Sequence, residues 1–215
     1  MKAAEGKGIG FSWLIKIGKW NDLREKSCSA DMKNILFFGD SLTAGYGLQH
    51  PKTDSFPGLI QQKIDAGSLS YEAINAGVSG DTSAGGLARL DYWLSRPIDV
   101  FVLELGINDI MRGVPPQTIL ANLQAIITKV KKRFPKVRMA MMGMELPPFI
   151  PGTFAGEFRL IFRKLAEAND MALVPFFLEG VAGQQRLNLS DGIHPTAEGY
   201  KIIAHNAWQV IKPLL

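Results

Sequence analysis

The sequence contains few of the residues from which disulfides, metal clusters and membrane spans are built. Its 215 residues include a single cysteine, Cys28, which excludes an internal disulfide and a cysteine metal cluster. No run of 18 or more apolar residues occurs, so we expect no segment that spans a membrane. Three histidines are present (His50, His194 and His205), so a mechanism that uses histidine has only three candidates.

Most of the chain has nearly balanced charge, although the pI of the whole sequence is about 9.2. Residues 1–33 hold seven Lys or Arg and four Asp or Glu, whereas residues 34–215 hold 17 and 16. A nearly neutral body without a basic stripe argues against a nucleic-acid partner. With 47% hydrophobic and 20% charged residues, the composition is that of an ordinary globular protein, and the length is most simply one domain.

We predict that residues 1–31, which hold six Lys or Arg and four Asp or Glu, are an extension before the main domain, residues 32–215. Large apolar residues recur there at helical spacing, with two lysines between them: Ile9, Trp13, Lys16, Ile17, Lys19 and Trp20. A basic amphipathic helix at residues 9–20 would contact a membrane surface or pack on the body, and a dispensable extension is an equal alternative. The lysines interrupt the apolar stretch, which is not the pattern of a signal peptide.

After residue 33, apolar runs alternate with segments of helical spacing. The runs that we predict to be buried strands lie at 34–39, 71–77, 98–105, 137–144 and 171–175. The segments that we predict to be helices lie at 55–66, 83–96, 116–134, 155–169 and 195–212. This alternation predicts an α/β fold with a parallel sheet covered on both faces. In the last helix, a core stripe is expected from Tyr200, Ile203, Ala207, Val210 and Leu214.

Polar residues follow the first three predicted strands, where chemistry collects in a parallel sheet. The first strand leads to Ser41, the second to Gly80 and the third to Asn108. If the first strand lies between the other two, Ser41 lies between Gly80 and Asn108. A glycine exposes its backbone N–H and an asparagine offers an NH₂ donor, so the two could stabilise the oxyanion that forms when a serine attacks a carbonyl.

A candidate base occurs near the end of the chain, in Ser190-Asp191-Gly192-Ile193-His194-Pro195. Asp191 lies three residues before His194, so its carboxylate can fold back to accept the Nδ1 proton and leave Nε2 facing a nucleophile. Each of these short motifs alone is more often structural than functional. Their joint occurrence at strand ends, in complementary roles, favours serine hydrolysis.

The motifs GDSLT, SGDT, GIND and DGIHP resemble, in this order, the four sequence blocks of the SGNH (GDSL) hydrolases. The phrases NAGVSGDTSAGGLARL and LELGINDIMRG are most similar to the bacterial branch that contains multifunctional thioesterase I/lysophospholipase L1 and the arylesterases. The resemblance covers residues 33–213 and implies a flavodoxin-like three-layer α/β/α sandwich with a five-stranded parallel sheet. It implies hydrolysis of small-molecule carboxylic esters, and extends to thioesters and lysophospholipids, with no cofactor and no metal ion.

By position, the resemblance makes Ser41 the nucleophile, His194 the base and acid, and Asp191 the residue that orients it. The implied oxyanion hole consists of the backbone N–H groups of Ser41 and Gly80 and the amide of Asn108. Asp40 and Asp109 are expected to hydrogen-bond neighbouring loops rather than react.

Substrate contacts are predicted near the third and fourth strands, at Ile107, Leu146, Phe149 and Ile150. For the loop from Leu146 to Pro151, an apolar lid over the core is an equal alternative. Two other functions stay open at this point: a carbohydrate or peptidoglycan O-deacetylase of the same superfamily, and a non-catalytic ligand-binding protein. Neither GxGxxG nor GxxxxGK[ST] occurs, which argues against a nucleotide-binding protein.

Overall fold

The computed structural model describes Met1 and residues 32–146 and 152–215, with side chains from residue 155 onward in the last range. The predicted amphipathic segment at residues 9–20 and the greater part of the predicted substrate loop, residues 147–151, lie outside the described residues. Along the described ranges, no helix has the length and apolarity needed to cross a bilayer.

The predicted strands form one parallel sheet of five strands. They are β1 (Lys33–Gly39), β2 (Tyr71–Gly77), β3 (Val100–Glu104), β4 (Arg138–Met142) and β5 (Ala172–Val174). Their order is β2-β1-β3-β4-β5, and each neighbouring pair is parallel. The first strand therefore lies between the next two, which is the condition for Ser41 to lie between Gly80 and Asn108. Gly39 is in register with both Gly77 and Glu104, so the three strands end level and their following loops share one edge.

The described residues contain eight α-helices, five of which correspond to the predicted segments. They are α1 (Ser41–Ala44), α2 (Pro51–Asp54), α3 (Phe56–Ala66), α4 (Ser83–Trp93), α5 (Ile107–Met111), α6 (Pro116–Arg133), α7 (Gly152–Asn169) and α8 (Ala197–Ile211). Ser55, Thr82 and Thr196 each accept an N–H from the residue three positions later, which explains where α3, α4 and α8 begin. The short helices α1, α2 and α5 were not predicted, because four or five residues are too few to show a helical period.

The core lies on both faces of the sheet. Residues 35–38 of β1 and all of β3 are buried, as the unbroken apolar runs predict for inner strands of a parallel sheet. α3 packs against α8, whereas α4 packs against α6 and α6 against α7, so the helices form two layers. The α/β sandwich is confirmed.

The core stripe of α8 differs from the prediction at its carboxyl end. Tyr200, Ile203 and Ala207 are buried as expected, but Val210 and Leu214 are only half-buried. The helix ends at Ile211, and a position four residues after Ala207 continues the same face, so Ile211 fills the place that was assigned to Val210.

Candidate active site

Ser41 lies at the carboxyl edge of the sheet, as the first residue of α1 directly after β1. The side chain of Asp40 caps α1 by accepting the N–H of Leu42 at 3.0 Å. Gly39 must be small, because a Cβ at this position would lie only 2.5 Å from Glu104 Oε2. The sharp passage from strand to helix therefore presents Ser41 at the end of the sheet, where its residue retains 7% exposure.

The predicted Asp191–His194 loop forms as expected. Asp191 Oδ1 accepts the backbone N–H groups of Ile193 and His194 at 2.9 and 3.0 Å, and Asp191 Oδ2 contacts His194 Nδ1 at 2.7 Å. Gly192 has φ +69°, a left-handed conformation that glycine adopts without strain and that lets the loop fold back. The bond from His194 and the two backbone N–H groups lower the pKa of Asp191 to about 2, so the carboxylate is ionised at neutral pH.

The other imidazole nitrogen of His194 faces the serine. His194 Nε2 lies 2.9 Å from Ser41 Oγ, across 153 positions of sequence. His50 and His205, by contrast, are exposed, on the loop before α2 and on α8. Ser41, His194 and Asp191 thus form one hydrogen-bonded chain.

The predicted oxyanion donors lie at the same edge. Among the described residues, the backbone N–H groups of Ser41 and Gly80 donate to no other group. The carbonyl of Gly80 accepts a bond from Arg112 Nη2 at 2.8 Å. Asn108 Nδ2 lies 2.9 Å from Asp40 Oδ2 and 3.0 Å from the Asp81 carbonyl, so both of its hydrogens have an acceptor.

Two carboxyl groups are buried beneath the serine. Asp40 and Glu104 have no exposed surface, and Glu104 Oε2 accepts both the Asp40 N–H at 3.1 Å and the Thr43 hydroxyl at 2.8 Å. Burial raises the pKa of Asp40 to about 6. Burial and the neighbouring Asp40 carboxyl raise the pKa of Glu104 well above its usual range.

Three residues of this edge were missed by sequence reasoning. They are Tyr46, whose ring centroid lies 4.6 Å from that of His194, Arg112, which binds the Gly80 carbonyl, and the buried Glu104. Only Glu104 carried a signal, since an acidic residue at the end of the apolar run DVFVLEL is unusual in a buried strand. Tyr46 and Arg112 lie in loops whose contacts no local pattern predicts.

Asp40 and Asp109 form hydrogen bonds to neighbouring segments, as expected. Asp109 accepts the Ser83 N–H at 2.7 Å and the Ser83 hydroxyl at 2.6 Å, and so ties α5 to the start of α4. Asp81 pairs with Arg89 at 2.6 Å. Asp81 and Asp109 therefore hold the turn that carries Gly80 and the helix α5, which carries Asn108.

The four predicted substrate-contacting residues stay untested. Ile107 and Leu146 are half-buried and pack against the core, while Phe149 and Ile150 lie outside the described residues. Where the structure describes the chain, no group of three His, Cys, Asp or Glu could hold a metal ion.

A parallel α/β sandwich that brings a serine, a histidine and an aspartate together at its carboxyl edge has the arrangement of a serine hydrolase. The chain belongs to the GDSL-like lipase/acylhydrolase family, whose sequence model matches residues 37–202. It is accordingly a serine ester hydrolase.

Named relatives agree with this membership. The chain is 37% identical to the esterase TesA of Pseudomonas aeruginosa over 187 residues, which cover 86% of this chain and 91% of the relative. It is 34% identical to thioesterase 1/protease 1/lysophospholipase L1 of Escherichia coli over 206 residues, which cover 95% of both chains. A crystal structure of TesA superposes with a TM-score of 0.80 at 36% identity and covers 85% of this chain and 100% of the TesA chain.

Proposed function

We propose that this protein hydrolyses carboxylic esters of apolar acyl groups through an acyl-enzyme on Ser41, with His194 as base and acid and Asp191 as its orienting residue. The observation that carries the proposal is the chain of two hydrogen bonds, from Asp191 Oδ2 to His194 Nδ1 at 2.7 Å and from His194 Nε2 to Ser41 Oγ at 2.9 Å.

In the first half of the reaction, Ser41 Oγ attacks the carbonyl carbon of the ester, and His194 Nε2 accepts the hydroxyl proton. The ionised Asp191 stabilises the imidazolium that forms and keeps Nε2 pointed at the serine. When the tetrahedral intermediate collapses, the carbon–oxygen bond to the alcohol breaks and His194 returns the proton to the leaving alkoxide. The acyl group stays on Ser41.

The negative charge of the tetrahedral oxygen develops next to the N–H groups of Ser41 and Gly80. We assign Asn108 as the third donor, which requires its amide to exchange one of its present acceptors for the oxyanion. In the second half, water loses a proton to His194 and attacks the acyl carbon, and Ser41 leaves with that proton. Atoms and charges balance without a cofactor.

The proposed substrate class is supported by exposed apolar side chains that are close in sequence to the proposed site residues. Tyr46, Val78, Met111 and Ile193 are large and exposed. Val78, Met111 and Ile193 lie within three positions of Gly80, Asn108 and His194, and the Tyr46 ring centroid is 4.6 Å from that of His194. Exposed apolar groups at a binding site favour an apolar ligand. Aryl and short-to-medium acyl esters are therefore the substrates we propose, with thioesters and lysophospholipids as further candidates because a relative carries those names.

A substrate panel on the parent enzyme and on Ser41→Ala tests the proposal. The panel contains p-nitrophenyl esters of increasing acyl length, an acyl-CoA, a lysophospholipid and acetylated sugars. We expect turnover of the apolar acyl esters, and a loss on the order of 10⁴–10⁶-fold in the variant, since no covalent route remains. Preference for acetylated sugars would contradict the substrate class, and parental turnover by a contamination-checked Ser41→Ala would contradict the nucleophile.

A further inference from the structure

The buried carboxyl groups of Asp40 and Glu104 are not used by the proposed chemistry, although they lie directly beneath it. Two carboxylates that are both ionised in an apolar interior repel each other and lose their hydration. One of two adjacent buried carboxyls therefore stays protonated. The geometry of their hydrogen bonds distinguishes the two groups.

Both carboxylate oxygens of Asp40 accept hydrogen bonds. Its Oδ1 accepts the Leu42 N–H at 3.0 Å and lies 3.5 Å from Ser41 Oγ, and its Oδ2 accepts from Asn108 Nδ2 at 2.9 Å. Glu104 uses only Oε2, and its buried Oε1 has no hydrogen-bond partner among the described residues. A negative charge on Glu104 would leave one charged oxygen bare in the core, whereas Asp40 has donors for both of its oxygens.

We propose that Asp40 and Glu104 form a buried acid pair that carries one negative charge, that this charge lies on Asp40, and that it positions the Asn108 amide for the oxyanion. The proposal rests on the function proposed above. Asp40 is thus a positioning residue, and Glu104 is its neutral partner, which holds the Asp40 N–H and the Thr43 hydroxyl.

A charge on Asp40 decides which of the two hydrogen bonds of the Asn108 amide breaks when the oxyanion forms. One hydrogen is bound to the Asp40 carboxylate, and the other to the neutral Asp81 carbonyl at 3.0 Å. Hydrogen bonds to an ionised acceptor are about twice as strong as those to a neutral one. The bond to Asp81 is therefore the one that yields to a developing oxyanion, while the bond to Asp40 holds the amide in place.

Three other ionisable groups act on the pair, and they do not all act in the same direction. His194 favours the charge on Asp40 when the imidazole is protonated, and Asp81, which is paired with Arg89, opposes it. Burial, followed by the nearby Glu104 and Asp40 carboxyls, raises the pKa of Tyr200 above its ordinary range, so Tyr200 stays neutral and donates to the Leu42 carbonyl at 3.1 Å.

The first test compares Asp40→Asn with Glu104→Gln by kcat, KM and melting temperature. An asparagine at 40 can accept from Leu42 or from Asn108 but not from both, so we expect kcat to fall roughly 10²-fold with little change in KM. A glutamine at 104 reproduces a neutral carboxyl, so we expect kcat within about fivefold of the parent, the range of one altered neutral hydrogen bond. Asp99→Asn, at the opposite edge of the sheet, removes a carboxylate that accepts the Asn34 N–H and is the matched control with parental activity.

Asp40→Ser covers the case in which Asp40→Asn does not fold. Serine is a good N-cap and keeps an acceptor for Leu42, but it removes the charge and the acceptor for Asn108, so the same loss of kcat is expected. Parental kcat in Asp40→Ser or Asp40→Asn would overturn the positioning role. An equal loss in Glu104→Gln would show that the charge is not confined to Asp40.

Infrared spectroscopy at neutral pH tests the placement of the proton without turnover. We expect the parent to show the carbonyl stretch of a protonated carboxyl, Glu104→Gln to lack it, and Asp40→Asn or Asp40→Ser to retain it. Presence of that band in Glu104→Gln would place the proton elsewhere and overturn the proposal. If Ser41→Ala retained activity, the proposed nucleophile would fail while this spectroscopic result still stood.

Discussion

Two aspartates of the candidate site lie in opposite environments. Asp191 lies on an exposed loop, where hydrogen bonds lower its pKa to about 2, whereas Asp40 is fully buried and desolvation raises its pKa to about 6. Both accept backbone N–H groups, so the hydrogen bonds alone do not explain the difference. Burial decides it, because the interior disfavours the charged form of a carboxyl while water does not. The Asp191 carboxylate beside His194 is therefore stabilised partly by solvent, whereas the charge that we propose on Asp40 beside Asn108 is stabilised only by donors from the protein.

We expect the largest effect on kcat/KM from a substitution of His194, beside the exposed Asp191 loop. His194→Ala removes the base and the acid, so we expect kcat/KM to fall by a factor on the order of 10⁴–10⁶. His205→Ala is the matched control, since this exposed histidine lies on α8 away from Ser41 and should leave kcat/KM at the parental value. A comparable loss in His205→Ala or His50→Ala would mean that the base is wrongly assigned.

Asp191→Asn tests the charge in the exposed loop. The geometry can persist, but an asparagine favours the wrong imidazole tautomer, so we expect kcat to fall roughly 10⁴-fold. Steady-state kinetics on this variant and on Asp40→Asn then compare the two aspartates directly. If Asp40→Asn lost more activity than Asp191→Asn, the buried charge would matter more than the charge beside the histidine.

Asn108→Ala tests the residue through which the buried Asp40 is proposed to act on the oxyanion. We expect kcat to fall roughly 10²–10³-fold with a much smaller rise in KM, because the amide binds the oxyanion more strongly than the resting carbonyl. Kinetics and melting temperature are measured on the same preparation. A variant that melts early but keeps its kcat would show that Asn108 only stabilises the loop.

The smallest effect concerns the pH dependence of stability. The unfolded chain releases the Glu104 proton near its ordinary value of 4.5, whereas the folded protein retains it to higher pH. Between these values the native state binds more protons, so the unfolding free energy of the parent falls as pH rises, by at most about 1.4 kcal/mol per pH unit for one proton. Glu104→Gln has no such proton, so urea titrations should give a flatter profile for the variant above pH 4.5. Parallel profiles would be the contrary result.

The proposed catalytic residues could be located in the sequence because each belongs to a local pattern. Ser41 follows an apolar strand, Asp191 lies three residues before His194, and Gly80 and Asn108 follow the next two strands. Parallel strands deliver their following loops to one edge, so a correct strand order is enough to bring these residues together. The predicted substrate contacts at Phe149 and Ile150 lie outside the described residues and stay predictions.

The sequence by itself determined the alternation of strands and helices, the α/β class and the residues that face one another at the sheet edge, because hydrophobic period and strand ends are properties of neighbouring residues. Tertiary structure alone decided that Glu104 lies beneath Asp40, that the Tyr46 ring lies against His194 and that Arg112 binds the Gly80 carbonyl. These contacts join segments that are far apart in the chain. The burial of Asp40 and Glu104 in the folded protein raises the pKa of each carboxyl. No local pattern specifies how much water a side chain loses when the chain folds.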